Sequence, residues 1–185
     1  MELRTASSPR DVKHYDTKRL REEFLIDDLF KADDVKLVYS HIDRIITAGV
    51  MPVFQTLKLE AGKELAADYF LQRREMGCIN IGGKGVITID GVEYEMNPRD
   101  GIYIGMGNKE VSFKSADAKN PAKFYVSSCP AHTSYPIVKI PALSNISQFI
   151  QYSICLVIIP FITPMLNGLI PANTQAPQKQ HWANL

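Results

Sequence analysis

Apolar and polar side chains alternate most regularly between Tyr69 and Gly107, and this stretch sets the expected architecture. Ile87 and Ile89 flank Thr88, Asp90-Gly91 follows, and Val92, Tyr94 and Met96 then alternate with Glu93 and Glu95. Period-two alternation on both sides of an Asp-Gly pair predicts a tight β-hairpin. Asn97-Pro98-Arg99-Asp100-Gly101 makes a second turn before Ile102-Tyr103-Ile104, and Gly82-Gly83-Lys84-Gly85 reads as another hairpin turn. Upstream, Leu37 with Tyr39, Ile45-Ile46, Val50 and Val53 around Pro52, and Leu57 with Leu59 read as short strands, with a turn at Gly62-Lys63-Glu64. Downstream come Val111 with Phe113 and Phe124 with Val126, separated by a polar loop at Asn120-Pro121. Strands at such close spacing predict an antiparallel sandwich or barrel. Ile87, Ile89, Val92, Tyr94, Val111, Phe113, Phe124 and Val126 are expected to face its interior. Helix signals are confined to the N-terminus, where Ser8-Pro9-Arg10-Asp11 and then Asp16 ahead of Leu20 and Phe24 have the composition of helix starts.

The expected fold is therefore all-β, a cupin-like jelly-roll antiparallel barrel with a short N-terminal helical arm. Residues 1–34 are assigned to the arm, 35–140 to the barrel and 141–185 to a tail. A length of 185 residues suffices for one domain with a real core. The formal charge of +1, with both signs interspersed, gives no basic stripe for nucleic acid. Cys78, Cys129 and Cys155 have neither the even number nor the spacing of a disulfide framework or zinc knuckle. Met1 to Arg10 has no apolar stretch of the kind a signal peptide needs, so a cytoplasmic location is expected.

Composition changes abruptly near Pro141. All 20 acidic residues lie before it, and Lys179 is the only Lys or Arg after it. Phe149 to Ile170 is rich in Ile, Leu, Phe and Pro. Its length approaches the ~20 apolar residues of a membrane-spanning helix. Gln151, Ser153, Pro160, Pro164 and Asn167 interrupt it, however, and no basic cluster flanks it. Strands completing the barrel are a second reading, against which the prolines count. The favoured reading is sequence not selected to fold here, such as the product of a shifted reading frame, and no regular continuation of the barrel is expected.

Four histidines are present: His14, His41, His132 and His181. A metal site in a barrel needs imidazoles converging from neighbouring strands, usually with a carboxylate, and Tyr69 to Gly107 contains no His. His41 and His132 are isolated and read as structural or rim histidines, so no metal site is expected. Arg73-Arg74-Glu75 could recognise a carboxylate through the guanidinium fork. The favoured alternative is an ion pair with Glu75, Asp100 or a neighbouring subunit. Gly82-Gly83-Lys84-Gly85 resembles a phosphate loop but lacks the following helix. His41-Ile42-Asp43-Arg44 has no nearby nucleophile and reads as a strand with surface charges. Pro130-Ala131-His132-Thr133 follows a strand, where barrel ends often hold functional loops.

Longer strings carry a family resemblance. LREEFLIDDLF (Leu20 to Phe30), VYSHIDRII (Val38 to Ile46), DYFLQRREMGCINIGGKG (Asp68 to Gly85) and NPAKFYVSSCPAHTSYP (Asn120 to Pro136) closely resemble the N-terminal half of the 5-dehydro-4-deoxy-D-glucuronate isomerase family. The resemblance runs from Met1 to about Ile140. It implies a cytoplasmic bacterial enzyme of pectin and uronate breakdown, interconverting 5-dehydro-4-deoxy-D-glucuronate and 3-deoxy-D-glycero-2,5-hexodiulosonate. It also implies a zinc-carrying bicupin that assembles as a homo-hexamer. The family's zinc ligands lie in the second cupin, and no position here matches that motif. The expectation is thus a truncated ketol-isomerase with impaired activity, a small uronate as ligand, no nucleic-acid partner and no favoured membrane attachment. His41, Arg73, Arg74 and His132 are the candidate pocket-rim residues. The alternatives are a non-catalytic cupin module that binds a sugar acid or a partner protein, and a membrane-attached domain.

Overall fold

The computed structural model describes residues 1–142, so the expectations for Phe149 to Ile170, Cys155, Lys179 and His181 lie outside the described residues. Within them, both helix starts form as expected. The Ser8 hydroxyl accepts from the Arg10 N–H at the start of α1 (Pro9–Val12), and the Asp16 carboxylate accepts from the Arg19 N–H at 2.8 Å to cap α2 (Thr17–Phe24). Neither helix buries a residue.

The strands are β1 (Glu2–Arg4), β2 (Val35–Ser40), β3 (Ile46–Val50), β4 (Leu57–Lys58), β5 (Arg74–Asn80), β6 (Gly85–Ile89), β7 (Val92–Met96), β8 (Gly101–Ile104), β9 (Val111–Ser115), β10 (Phe124–Pro130) and β11 (Val138–Ile140). They form two sheets, in the orders β1-β2-β3-β10-β5-β8-β11 and β4-β9-β6-β7. Within these, β3-β10-β5-β8 faces β4-β9-β6-β7. From β3 to β10 the chain changes sheet at every step but the β6–β7 hairpin. That interleaving is the jelly roll, two antiparallel sheets enclosing one core. The ladders do not close into a barrel; β1 and β2 extend one edge of the larger sheet and β11 extends the other.

Between β6 and β7 the two-residue turn is as expected: Asp90 and Gly91 both take positive φ, 47° and 86°, as a primed turn requires. Ile87, Ile89, Val111, Phe113, Phe124 and Val126 are all buried, and the rings of Phe113 and Phe124 lie 5.2 Å apart. Val92 and Tyr94 depart from the expectation: Val92 is 55% exposed and Tyr94 only half-buried. Val92 pairs with the buried Ile89 and shares its face, but β7 is an edge strand and the hairpin tip extends past the core.

Gly82 to Gly85 is not a hairpin turn but the corner where the chain passes from β5 in one sheet to β6 in the other. A Cβ at Gly82 or Gly83 would collide with the backbone of Asn120 to Lys123, which explains the glycines. Residues 41–44 form the β2–β3 turn rather than a strand, with Asp43 and Arg44 at φ 53° and 54°. The strand expected at Val53 is loop. The N-terminal arm is joined to the domain: β1 pairs in parallel with β2, and Leu29 packs directly on Gly49 of β3.

Candidate functional site

Along β5, the inward positions are Arg74, Met76, Cys78 and Asn80, all buried, as strand alternation dictates. The two polar ones lie at opposite ends of the strand. At Arg74 the larger sheet ends in the β2–β3 turn, the start of β5 and the end of β10, and the four candidate residues gather there. Arg74 is 6% exposed. Its Nε donates to the Ser128 hydroxyl at 3.1 Å, and its Nη2 donates to the Arg44 carbonyl at 2.6 Å and the Ser128 carbonyl at 2.9 Å. The Tyr39 ring lies 6.0 Å from the guanidinium and 5.2 Å from the His41 ring, which it meets edge-on. Arg73 is exposed, and its carbonyl accepts from the Ala131 N–H at 3.0 Å, so Arg73 just before β5 and His132 just after β10 lie near each other. His41 and His132 are exposed.

The ion pair expected for the Arg73-Arg74-Glu75 group does not form among the described residues. Glu75 points to the outer face, where its carboxylate accepts from the Tyr103 hydroxyl at 2.7 Å and from the Cys129 thiol at 3.6 Å. Burial, with the Glu75 charge adding to it, pushes the Cys129 thiol up to about 11. Asp100 pairs instead with Lys139 at 3.5 Å, at the far end of the sheet. Burial lowers the Arg74 guanidinium below the ordinary arginine range; Arg44 adds to this, against Tyr39 and Cys129. Arg44 belongs to the site although the sequence reading did not single it out. Its signal was present in the His41-Ile42-Asp43-Arg44 string, but the turn geometry that delivers its carbonyl to Arg74 was not.

This end suits anions better than metals. Tyr39, Arg74, Met76 and Ser128 occupy its inward positions, and a fixed guanidinium repels a cation. Among the described residues no group of three or more His, Cys, Asp or Glu could hold a metal ion. The zinc implied by the resemblance finds no fitting donor set here, and no step is assigned to it. A second concavity, about 500 Å³, lies against the outer face of the smaller sheet, lined by Lys58, Glu60, Tyr69, Thr88, Lys109 and Ser112 among others. Nothing in the sequence pointed to it beyond Thr88 and Ser112 being the polar members of their alternations. Its charges are mixed in sign and exposed, without a focus.

Comparison with known proteins gives this geometry a context. The chain is 73% identical over 140 residues to the 4-deoxy-L-threo-5-hexosulose-uronate ketol-isomerase of Lachnoclostridium phytofermentans, a match covering 76% of this chain and 51% of that protein. It is 61% identical over 148 residues to the enzyme of the same name from Lachnospira eligens, covering 80% and 53%. The Escherichia coli (strain SE11) enzyme of that name is 51% identical over 142 residues, covering 76% and 51%. The chain thus spans about half the length of the curated relatives it matches. Among solved structures, the Schizosaccharomyces pombe Cnp3 cupin domain matches with TM-score 0.40 and 13% identity, covering 52% of this chain and 64% of that one. A Cupin_2 domain of an Enterobacter cloacae XRE family transcriptional regulator matches with TM-score 0.40 and 14% identity, covering 54% and 97%. The model of the KduI/IolB family matches residues 24–148, more than half of the sequence, and the chain belongs to that family.

Proposed function

We propose that this chain is one half of a ketol-isomerase that interconverts 5-dehydro-4-deoxy-D-glucuronate, also named 4-deoxy-L-threo-5-hexosulose-uronate, and 3-deoxy-D-glycero-2,5-hexodiulosonate. The observation that carries the reading is 73% identity across 76% of the chain to an enzyme of that name. Such an isomerisation moves a proton between adjacent carbons through an enediolate, so it needs a base at the carbon acid and an electrophile at the developing oxyanion. Among the described residues, His41 and His132 are the imidazoles at the arginine end, and both are exposed. This favours a binding and scaffolding role for this half. The half of the relatives that lies outside the match would supply the base and the zinc-bearing electrophile, and the matched half on its own would be impaired. A bacterial cytoplasmic setting in pectin and uronate breakdown and a homo-hexameric assembly complete the proposal. No helix among the described residues is long and apolar enough to cross a membrane.

A non-catalytic cupin module binding a sugar acid is the second reading, favoured by the lack of any converging donor set among the described residues. Turnover separates the two. The purified chain should convert the uronate at no more than a trace rate. Joined to the remaining half of the Lachnoclostridium relative, it should regain full turnover. A chimera that folds and loads zinc yet stays inactive would favour the binding module.

A further inference from the structure

Two arginines, Arg74 and Arg44, meet at one end of the sandwich with no carboxylate paired to either among the described residues. Arg74 is fixed and buried, and Arg44 lends it a backbone carbonyl. Neither forms an ion pair among the described residues. Asp43 and Glu75 are close in sequence, but Glu75 is engaged by Tyr103 and Cys129 on the opposite face of β5, and Asp43 forms no salt bridge. The Arg74 donors Nε and Nη2 are taken up by Ser128 and Arg44, whereas Nη1 donates to nothing. No buried side-chain nitrogen or oxygen among the described residues lacks a partner, so Nη1 must reach solvent at the end of the sheet.

A buried guanidinium is costly to keep charged unless an anion compensates it, and a like charge nearby raises the cost. Carbonyl dipoles offset part of that cost here, but none carries a full negative charge. The arrangement has the properties of an anion site awaiting its anion: one guanidinium locked in place by two carbonyls and a hydroxyl, its Nη1 still free, and the exposed Arg44 beside it. Arg74 can offer only its Nη1 hydrogens, but the exposed Arg44 keeps a whole guanidinium fork, which suits a planar carboxylate because it can hold both oxygens at once.

We infer that Arg74 and Arg44 form a carboxylate-binding site at the end of the larger sheet. Arg74 is the fixed floor, and Arg44 closes over the ligand. The strained β2–β3 turn has a physical reason in this scheme: positive φ at Asp43 and Arg44 turns the Arg44 carbonyl onto Arg74 while its side chain stays outside. The choice of a sugar acid as ligand rests on the isomerase reading; the site itself does not. The carboxylate can come from a free uronate or from an Asp or Glu of adjoining protein, since both present the same group.

The test is calorimetric titration of the full chain at low ionic strength with D-galacturonate, using D-galactose as the neutral control. Saturable binding of galacturonate and none of galactose is expected. Arg44→Gln removes a charged hydrogen-bond donor and should weaken binding roughly tenfold or more, whereas Arg73→Gln, on the outer face of the sheet, should leave it unchanged. Both side chains are exposed, so both variants should keep the wild-type melting curve. A protein-borne carboxylate is tested by mixing the chain with the separately produced remaining half of the Lachnoclostridium relative. Association that Arg44→Gln weakens and Arg73→Gln does not, in place of galacturonate binding, would assign the carboxylate to that half. The inference is overturned if neither galacturonate binding nor association responds to Arg44→Gln, or if galactose binds as well as galacturonate. Neither arm reads turnover, so an inactive chimera would refute the isomerase reading and leave this result standing.

Discussion

Strand β5 places one buried polar side chain at each end of its inward face, and the two solve the burial problem differently. At one end Asn80 is fully buried; its amide nitrogen donates to the Gly83 and Met96 carbonyls at 2.7 and 3.0 Å, and its oxygen accepts from Gly82 and Lys123. Every group Asn80 offers is matched by neutral backbone of the inter-sheet corner it stabilises. At the other end Arg74 is also held by its neighbours, but it brings a whole charge, and among the described residues no carboxylate answers it. Asp100, an ionised group at the Asn80 end, does have its counter-ion in Lys139. A side chain whose demands are met within the fold is scaffold; one whose charge is left over is equipped for something the fold does not contain.

The largest effect that would sharpen this contrast is expected from Asn80→Ala. It strips buried carbonyls and N–H groups of partners, each costing about 1–3 kcal/mol, so a loss of roughly 3 kcal/mol should appear in urea unfolding. Arg74→Met should cost less, about 1 kcal/mol. It leaves the Arg44 and Ser128 carbonyls without their donor but relieves a buried uncompensated charge. Should Arg74→Met destabilise the protein more than Asn80→Ala, the guanidinium is structural first and the contrast fails.

Acid should act at the Asn80 end. Burial alone would raise the Asp100 carboxyl, but the N–H groups of Ala142 and Asn97 and the Lys139 ammonium outweigh it and hold it below the usual carboxylate range. A depressed pKa means stability that is present above the unfolded value of about 4 and lost as pH falls through the lower folded value. Asp100→Asn should remove that acid-dependent part of the stability–pH curve; an unchanged acid limb would show that Asp100 contributes nothing to it. The smallest effect is expected at the hairpin tip, where Val92→Thr should shift stability by no more than about 0.5 kcal/mol because the side chain is already in water.

Much of this fold was legible in the sequence because its signals are local. The Asp90-Gly91 turn, the Ser8 and Asp16 caps and six of the eight expected interior positions depend only on near neighbours. What was not legible depends on distant partners. Alternation shows that β5 and β6 are strands but not that they belong to different sheets. Glu2 to Arg4 is too short and too charged to announce that it pairs with β2. The site divides in the same way. His41, Arg73, Arg74 and His132 were visible as residue types capable of chemistry, but Arg74 meets Ser128 across 54 residues and Arg44 across 30. The missing ion pair, which decides how the group reads, exists only in three dimensions.

The contrast is tested most directly by nuclear magnetic resonance of the full chain, following the Arg74 Nε–H signal and the Asn80 side-chain amide signals together while D-galacturonate is added at constant pH and ionic strength. Saturable movement of the Arg74 signal, with the Asn80 signals still and no response to D-galactose, is the expected result. An Arg74 signal that stays fixed, or that moves in step with Asn80, would contradict the account.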